Sequence, residues 1–578
     1  MPSIGPQTEA ADRLHAMKYR APGEDFREAM NRLAFGLRDS DAHYHETREI
    51  LMSQRFLPAG RIQTTIGSSK YTTPFNCFVS GTIADSFVDG SGSIMARATE
   101  AAATMRMGGG IGYDFSTLRP RGEMIGKLQS HSSGPISFMH IFDSICLATS
   151  SSGHRRGAQM GIMRVDHPDI EEFIHAKNNR DKLTGFNISV AVTDAFMEAV
   201  ASGDEFPLSW NGKVYRTVDA AALWENIMRS TWDWAEPGVV FIDTINRMNN
   251  LWYCETIAAT NPCSEQPLPP FGACLLGSFN LPKYLTKQPV PVGRNPWSFD
   301  YDQLRADLPV VIRAMDNVTD KARYPLAEQR AEAYSKRRMG IGVTGLANAG
   351  EAMGFPYGSA AFVAFEEQVL EQITLGSYDA SSELAEEKGS FPLFDAERYL
   401  MGKFASALPA DLQARIRSSG LRNSHLTSIA PTGTISLTAD NVSSALEPVF
   451  SFETQRPINT PSGPIIEKIE DYGIAFLGTQ GKLARDVTAD EHVAVLTAAQ
   501  RHIDSAVSKT VNMDGRTMPW QAFKDIYRRA WEEGCKGCAT FNLSGKRGGL
   551  LEAAVEDHAP LEMDACDIDP ATGRRSCE

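Results

Sequence analysis

The sequence predicts an α/β fold, and three observations carry that expectation. Helical and strand-like patterns alternate from about residue 186 over several hundred residues, no linker interrupts the alternation, and the chain is 578 residues long. That length exceeds a usual single domain, so several domains or one large barrel with additions is expected. Hydrophobic residues at 42% and charged residues at 22% are the balance of an ordinary globular protein.

Taken in order, residues 25–56 read as two helices. The first is amphipathic over 26–34, and the second runs to Arg55 and is stopped by Pro58-Ala59-Gly60. A helical entry region over 1–60 is expected, with no sequence before it for a separate nucleotide-binding regulatory domain. Residues 72–80 read as a strand bounded by Pro74, with Cys77 inside it. Residues 94–107 are helical and end in Gly108-Gly109-Gly110-Ile111-Gly112. These glycines miss the G-x-G-x-x-G spacing and follow a helix, so they suit close approach of backbone to a ligand, or a plain helix stop. An apolar helix over 135–149 carries Pro135 at a favoured early position. It leads into a loop over 150–158 with Arg155 and Arg156, guanidinium groups able to wrap a phosphate or a base. Further on, 239–243 is a strand, 301–317 a helix, 426–430 a strand and 488–507 a long helix. Beyond 551 the chain turns acidic and poor in large apolar residues, which reads as a mobile tail over 551–578.

A net charge of −14 argues against a nucleic-acid-wrapping surface, so no nucleic-acid partner is expected. The amino terminus has no apolar core for a secretory signal, and no run approaches a membrane span. Nine cysteines with no small-scaffold spacing fit a reducing cytoplasm, where a disulfide is catalytic before it is structural.

The chemistry concentrates in Asn261-Pro262-Cys263-Ser264-Glu265-Gln266-Pro267-Leu268, followed by Cys274. The segment is too rich in proline for a helix or a central strand. In an extended segment a thiol two residues from a carboxylate shares its side of the backbone, so one small molecule could lose a hydrogen to Cys263 and a proton to Glu265. Downstream, strand 426–430 leads into Pro431-Thr432-Gly433-Thr434-Ile435-Ser436. Small hydroxyl residues and a glycine after a strand suit a turn whose N–H groups face an anion at a helix N-terminus, although a capped helix start looks the same.

Together these pieces resemble the catalytic subunit of ribonucleotide reductase. The shared residues are Phe75-Asn76-Cys77, Asn261-Pro262-Cys263-Ser264-Glu265, Cys274 with the following Leu275-Leu276-Gly277-Ser278-Phe279-Asn280, the 431–436 turn, and Ile503-Asp504-Ser505-Ala506-Val507-Ser508-Lys509-Thr510. The likeness runs from about residue 55 to residue 550. It implies a ten-stranded α/β barrel over 61–550, with Cys263 at the tip of a central finger loop. It also implies roles: Cys263 as the thiyl radical that removes the 3′ hydrogen, Glu265 as the base on the 3′ hydroxyl, and Asn261 on the sugar hydroxyls. Cys77 and Cys274 would be the dithiol that protonates the departing 2′ hydroxyl and closes to a disulfide. Ala59, Asn76, Gly109, Gly110 and residues Pro431, Thr432, Gly433, Thr434, Ile435 and Ser436 would hold the substrate, with magnesium accompanying the nucleotides.

The eleven-residue interval between Cys263 and Cys274 is similar to that of the adenosylcobalamin-dependent branch. The branch that imports its radical from a metal-containing subunit carries two adjacent tyrosines near the barrel's end, and Gly534-Cys535-Lys536-Gly537-Cys538-Ala539-Thr540-Phe541-Asn542 holds none. The resemblance therefore implies adenosylcobalamin as cofactor, with a partner-subunit radical or an inactive nucleotide-binding paralogue as alternatives. It implies Cys566 and Cys577 as a tail pair passing electrons from a thioredoxin- or glutaredoxin-type reductant. Cys535 and Cys538 form a C-x-x-C that with the tail pair could bind zinc, although no metal site is expected there. A homodimer is implied, with a deoxynucleotide effector at Asp143, Ser152, His154, Arg155 and Arg156. The effector should shift substrate preference, and high dATP should not shut the enzyme off.

Overall fold

The computed structural model describes residues 4–149, 158–178, 182–291, 293–460 and 463–546, together with the short segments 568–569 and 574–575; side chains over 454–467 and in the two tail segments are left out of the description. Three helices open the chain, α1 (Glu9–Tyr19), α2 (Phe26–Leu37) and α3 (Asp41–Met52). A capping box between Asp25 and Glu28 starts α2, whose buried face carries Phe26, Met30, Leu33 and Leu37. The sequence pattern extends α3 to Arg55, but the helix ends at Met52, and Gln54 takes a left-handed backbone that turns the chain into strand β1 (Phe56–Pro58).

The remaining strands that matter for the site are β2 (Cys77–Val79), β3 (Gly110–Asp114), β4 (Gln159–Arg164), β5 (Phe186–Val192), β6 (Gly238–Phe241), β7 (Ala259–Thr260), β8 (Pro267–Leu268), β9 (Ala273–Cys274), β10 (Leu276–Asn280), β11 (Gly340–Thr344), β12 (Thr510–Met513) and β13 (Gly537–Asn542). An eight-stranded sheet has the order β9-β2-β3-β4-β5-β6-β13-β12, and a three-stranded sheet has the order β1-β10-β11. The run from β2 to β6 is parallel, with antiparallel partners joining at β9 and β13. β5 is buried at every position, as a parallel strand covered on both faces must be. The protein is thus mixed α/β, and no closed barrel is assigned among the described residues.

The expected strand at 426–430 makes only isolated bridges, Ile341 with Thr427 and Ile429 with Val507. On one side it meets β11 and on the other the irregular 505–508 segment, and it bridges each at a single residue pair. The helix expected over 488–507 spans Ala489–His502 and stops there, because residues 505–508 bond sideways to 427–429 instead. Helices α4 (Ile94–Arg106), α5 (Pro135–Ala148), α6 (Tyr301–Lys321) and α7 (Ala360–Lys388) surround the sheets. The α1–α3 helices and the sheets share one continuous core containing Phe26, Leu33, Phe78, Val190 and Leu426. No helix among the described residues is long and apolar enough to cross a membrane.

Candidate active site

β7 and β8 pair as an antiparallel hairpin, with Ala259 opposite Leu268 and Thr260 opposite Pro267. Its tip is the Asn261–Gln266 segment, stitched by Asn261 N–H to the Gln266 carbonyl (3.1 Å), Gln266 N–H to Asn261 Oδ1 (2.9 Å) and Ser264 N–H to the Asn261 carbonyl (3.0 Å). The proline-rich segment is neither helix nor central strand, in line with its composition. It is also not extended throughout: Ser264 has φ +66°, so strand alternation is not what relates Cys263 to Glu265.

The hairpin lies directly on the parallel sheet. A Cβ at Gly112 of β3 would stand 1.8 Å from the Thr260 carbonyl oxygen, so the backbones can approach this closely only at glycine. The glycine-rich stretch after α4 thus serves close backbone approach, but here to the protein's own hairpin. Asn187 of β5 donates from Nδ2 to the Pro262 carbonyl at 3.0 Å, and both groups are buried.

Cys274 in β9 is directly opposite Cys77 in β2. Facing residues of an antiparallel pair stand about 4.5–5.5 Å apart at Cα, inside the roughly 4.4–6.8 Å that a disulfide spans. Both are buried and in no disulfide, as is Cys263. Burial pushes the Cys274 thiol well above the usual thiol range, and Glu265, Cys77 and Cys263 add to the effect in that order. Three thiols and a carboxylate therefore share one low-dielectric site. Asn261 is fully buried, and its Nδ2 has no protein partner. Asn76 is also buried with Oδ1 lacking a partner, while its backbone bonds Cys274 and Gly110.

The apolar wall around the dithiol includes Ala59, Val79, Met160, Leu276 and, at its edge, Ala430. Ala59 is anchored by its N–H to the Leu276 carbonyl at 3.1 Å. Gly109 bonds the end of α4 and Gly110 pairs with Cys77 in the sheet. After Ala430 and Pro431, Thr432 takes a left-handed backbone (φ +54°) and starts a short helix over Gly433–Leu437. Its Oγ1 accepts from Ala445 N–H at 2.8 Å and meets Thr344 Oγ1 at 3.0 Å, which locks the turn. The Ser436 hydroxyl is committed to the Thr432 carbonyl. The N–H groups of Gly433, Thr434 and Ile435 lie in the first turn, outside the intrahelical ladder, the arrangement that receives an anion.

Asp143 is buried on α5, where burial raises its carboxyl and the Gly185 N–H donates to Oδ1 at 2.8 Å. Ser152, His154, Arg155 and Arg156 lie outside the described residues, as do Cys566 and Cys577. Cys535 and Cys538 are buried free thiols, both pushed up by burial, Cys538 to about 12. Among the described residues no group of three or more His, Cys, Asp or Glu is placed to hold a metal.

Several residues of the site escaped sequence reasoning. Ser428 and Ala506 hold the Glu265 carbonyl, and a cavity reaching Cys263 and Ser264 is lined by Asn187, Ser189, Glu236, Gly238, Ser508, Lys509, Gly537, Cys538 and Ala539. Lys509 is fully buried there and donates to Glu447 Oε2 at 2.8 Å and His492 Nδ1 at 3.1 Å. The signals available were the Ile503-to-Thr510 run shared with the resembled family, the expected strand over 426–430 and the 534–542 segment, none of which gave these residues a role.

The chain is similar to the vitamin B12-dependent ribonucleoside-diphosphate reductase of Mycobacterium tuberculosis (strain CDC 1551 / Oshkosh), 34% identical over 532 residues, or 86% of this chain and 73% of that protein. The enzyme of the same name from Thermoplasma acidophilum is 32% identical over 561 residues, 92% of this chain and 69% of that protein. The vitamin B12-dependent ribonucleotide reductase of Streptomyces clavuligerus is 28% identical, covering 93% and 63%. Residues 76–471 and 477–541 match the family described as ribonucleotide reductase, barrel domain, so the chain belongs to the ribonucleotide reductase family.

Proposed function

We propose that this chain reduces ribonucleotides, of the diphosphate class named for its relatives, to 2′-deoxyribonucleotides by thiyl-radical chemistry started with adenosylcobalamin. The observation that carries the reading is the direct opposition of Cys77 and Cys274 in a buried site shared with Cys263 and Glu265. Adenosylcobalamin, when bound, would supply the hydrogen-abstracting radical chemistry, and Cys263 is the residue whose thiol would answer it. The cavity that reaches Cys263 has small side chains at Ser189, Gly238, Ser508, Gly537 and Ala539, beside the larger Met160, Ile188, Glu236 and Lys509, and leaves the Cys263 side of the hairpin open to a hydrogen-abstracting group. The relatives named vitamin B12-dependent favour this reading over a radical carried from a separate metal-containing subunit.

In the proposed reaction the Cys263 sulfur takes the 3′ hydrogen while the Glu265 carboxylate takes the proton of the 3′ hydroxyl. Asn261, with its free Nδ2 donor, holds the sugar hydroxyls. Cys77 and Cys274 give one proton to the 2′ hydroxyl, which leaves as water, and the other hydrogen to C2′; the two electrons come from their sulfurs as these join, and Glu265 gives its proton back to the 3′ oxygen. Cys263 then returns its hydrogen to C3′. Burial suits this: Cys274 stays protonated at neutral pH and so has a proton to give. The 431–436 turn receives the phosphate.

The architecture consistent with this reading is a ten-stranded barrel with the hairpin inside it. Residues 273–280 run through β9 in one sheet and β10 in the other, and 505–513 run from the Ile429–Val507 bridge into β12. With 426–430 between β11 and 505–508, a ring of ten segments results. A small helical region over 1–60 and a redox tail over 551–578 carrying Cys566 and Cys577 complete the proposed organisation. The remaining partners are a thioredoxin- or glutaredoxin-type reductant, a second copy of the chain, and a deoxynucleotide effector near α5 and Asp143, in a cytoplasmic setting.

The purified chain given adenosylcobalamin and a dithiol is expected to form deoxyribonucleotides, and Cys263→Ser to bind the cofactor without product. Activity that requires a second metal-containing protein and ignores adenosylcobalamin would overturn the cofactor assignment.

A further inference from the structure

The Glu265 carbonyl accepts two hydrogen bonds from outside the hairpin, one from the Ser428 hydroxyl at 2.8 Å and one from the Ala506 N–H at 3.0 Å. Ser428 and Glu265 are both buried, so neither bond competes with water. The segments that bring these donors are themselves locked together. The Asp504 carboxylate accepts from Leu426 N–H at 2.7 Å, Thr427 N–H at 3.0 Å and Tyr378 Oη at 2.8 Å, and the Thr427 hydroxyl accepts from Asp504 N–H at 2.9 Å. Lys536, fully buried, donates to the carbonyls of Asp504 and Ser505. The approach is made possible by Gly340, where a Cβ would stand 2.7 Å from Ser428 Cβ and 2.3 Å from Gln266 Nε2.

We propose that Ser428 is a positioning residue for Glu265: with the Ala506 N–H it forms a two-donor cradle that fixes the hairpin tip, and so the carboxylate, over the Cys77/Cys274 pair. The proposal rests on the reading of Glu265 as the base. Cys263 is held separately, through Asn187 on the Pro262 carbonyl and the Asn261–Ser264 turn. Loosening the cradle therefore acts on proton removal more than on the thiol. A misplacement of the base by a fraction of an ångström is paid in the chemical step, not in substrate binding.

The full chain with adenosylcobalamin and a dithiol provides the test. Ser428→Ala is expected to lower kcat roughly tenfold with KM held within about twofold. Peptide hydrogen exchange over residues 503–509 should rise in the same variant, a readout independent of turnover. Ser428→Thr, which returns the hydroxyl, should recover most of both. A Ser428→Ala enzyme with kcat within about twofold of native overturns the proposal. So does a fall matched by an equal rise in KM, or one that Ser428→Thr leaves unrelieved. Glu265→Gln measured alongside separates the two readings: normal turnover in that variant removes Glu265 as the base, whatever Ser428 does.

Discussion

At the scale of single residues, the Cys77/Cys274 pair is the feature that experiment reaches most directly. The folded state holds the Cys274 thiol well above its ordinary value, first through burial and then through Glu265, Cys77 and Cys263. A group raised in this way binds its proton more tightly folded than unfolded. Its contribution to stability is complete below the unfolded thiol value of about 8.5 and is lost as pH rises above that. The same shift bears on catalysis. The single-turnover rate of prereduced enzyme should stay level from about pH 7.5 to 9, where an ordinary thiol would already be losing its proton. Turnover without reductant should end in a disulfide that peptide mapping places between Cys77 and Cys274, and Cys274→Ser should form none. A decline centred near the ordinary thiol value, or a disulfide elsewhere, would count against the assignment. Cys77, Asn261, Cys263, Glu265 and Cys274 were legible because a short motif carries them. The part played by Ser428 and Ala506 was not, because they meet the Glu265 carbonyl from 163 and 241 residues away in sequence, and neither a serine in a strand nor an alanine within a shared run says which carbonyl it will bond.

At the scale of elements, the hairpin and the sheet beneath it are fitted backbone to backbone. The glycines after α4 announced a close approach, yet nothing in the sequence could say that the approaching atom would be the Thr260 carbonyl rather than a ligand. Likewise the proline-rich 261–268 segment excluded a helix, but the left-handed Ser264 that shapes its tip had no sequence signal, since serine is not the residue that ordinarily marks that conformation. Gly112→Ala tests the fit. A methyl group there meets backbone at 1.8 Å, and backbone cannot rotate away as a side chain would, so the hairpin must lift. The expected cost is about 1–3 kcal/mol of stability, with kcat falling roughly tenfold or more, because Cys263 and Glu265 at the hairpin tip move with it. Circular dichroism should still show the native fold. Native turnover in the Gly112→Ala variant would mean that the contact does not set the site.

For the whole molecule, the alternation of helices and strands was readable, while the order of strands was not, because β9 and β10 serve two sheets within eight residues and only tertiary pairing decides that. The same holds for the relation of α1–α3 to the sheets. The first helices read as an entry region, and in the fold they share its core and its buried ions. Arg55, just before β1, forks onto Asp307 of α6, Nε to Oδ2 at 2.6 Å and Nη2 to Oδ1 at 3.2 Å. Tyr284 and Gln303 complete the shell of the same carboxylate. Asp440 accepts the N–H groups of Gln7 and Thr8, and Gln54 donates to the Thr438 carbonyl, so the 438–440 turn beyond the Gly433–Leu437 helix is tied to the amino-terminal helices. Hydrogen exchange should therefore find α1–α3 opening with β5 in one event rather than ahead of it. Arg55→Met keeps much of the side chain's packing but leaves Asp307 buried without its cation, which should cost about 3–5 kcal/mol and let α1–α3 open first. Independent, early exchange of α1–α3 in the native chain would show instead that the amino-terminal helices fold as a separate unit resting on the sheets.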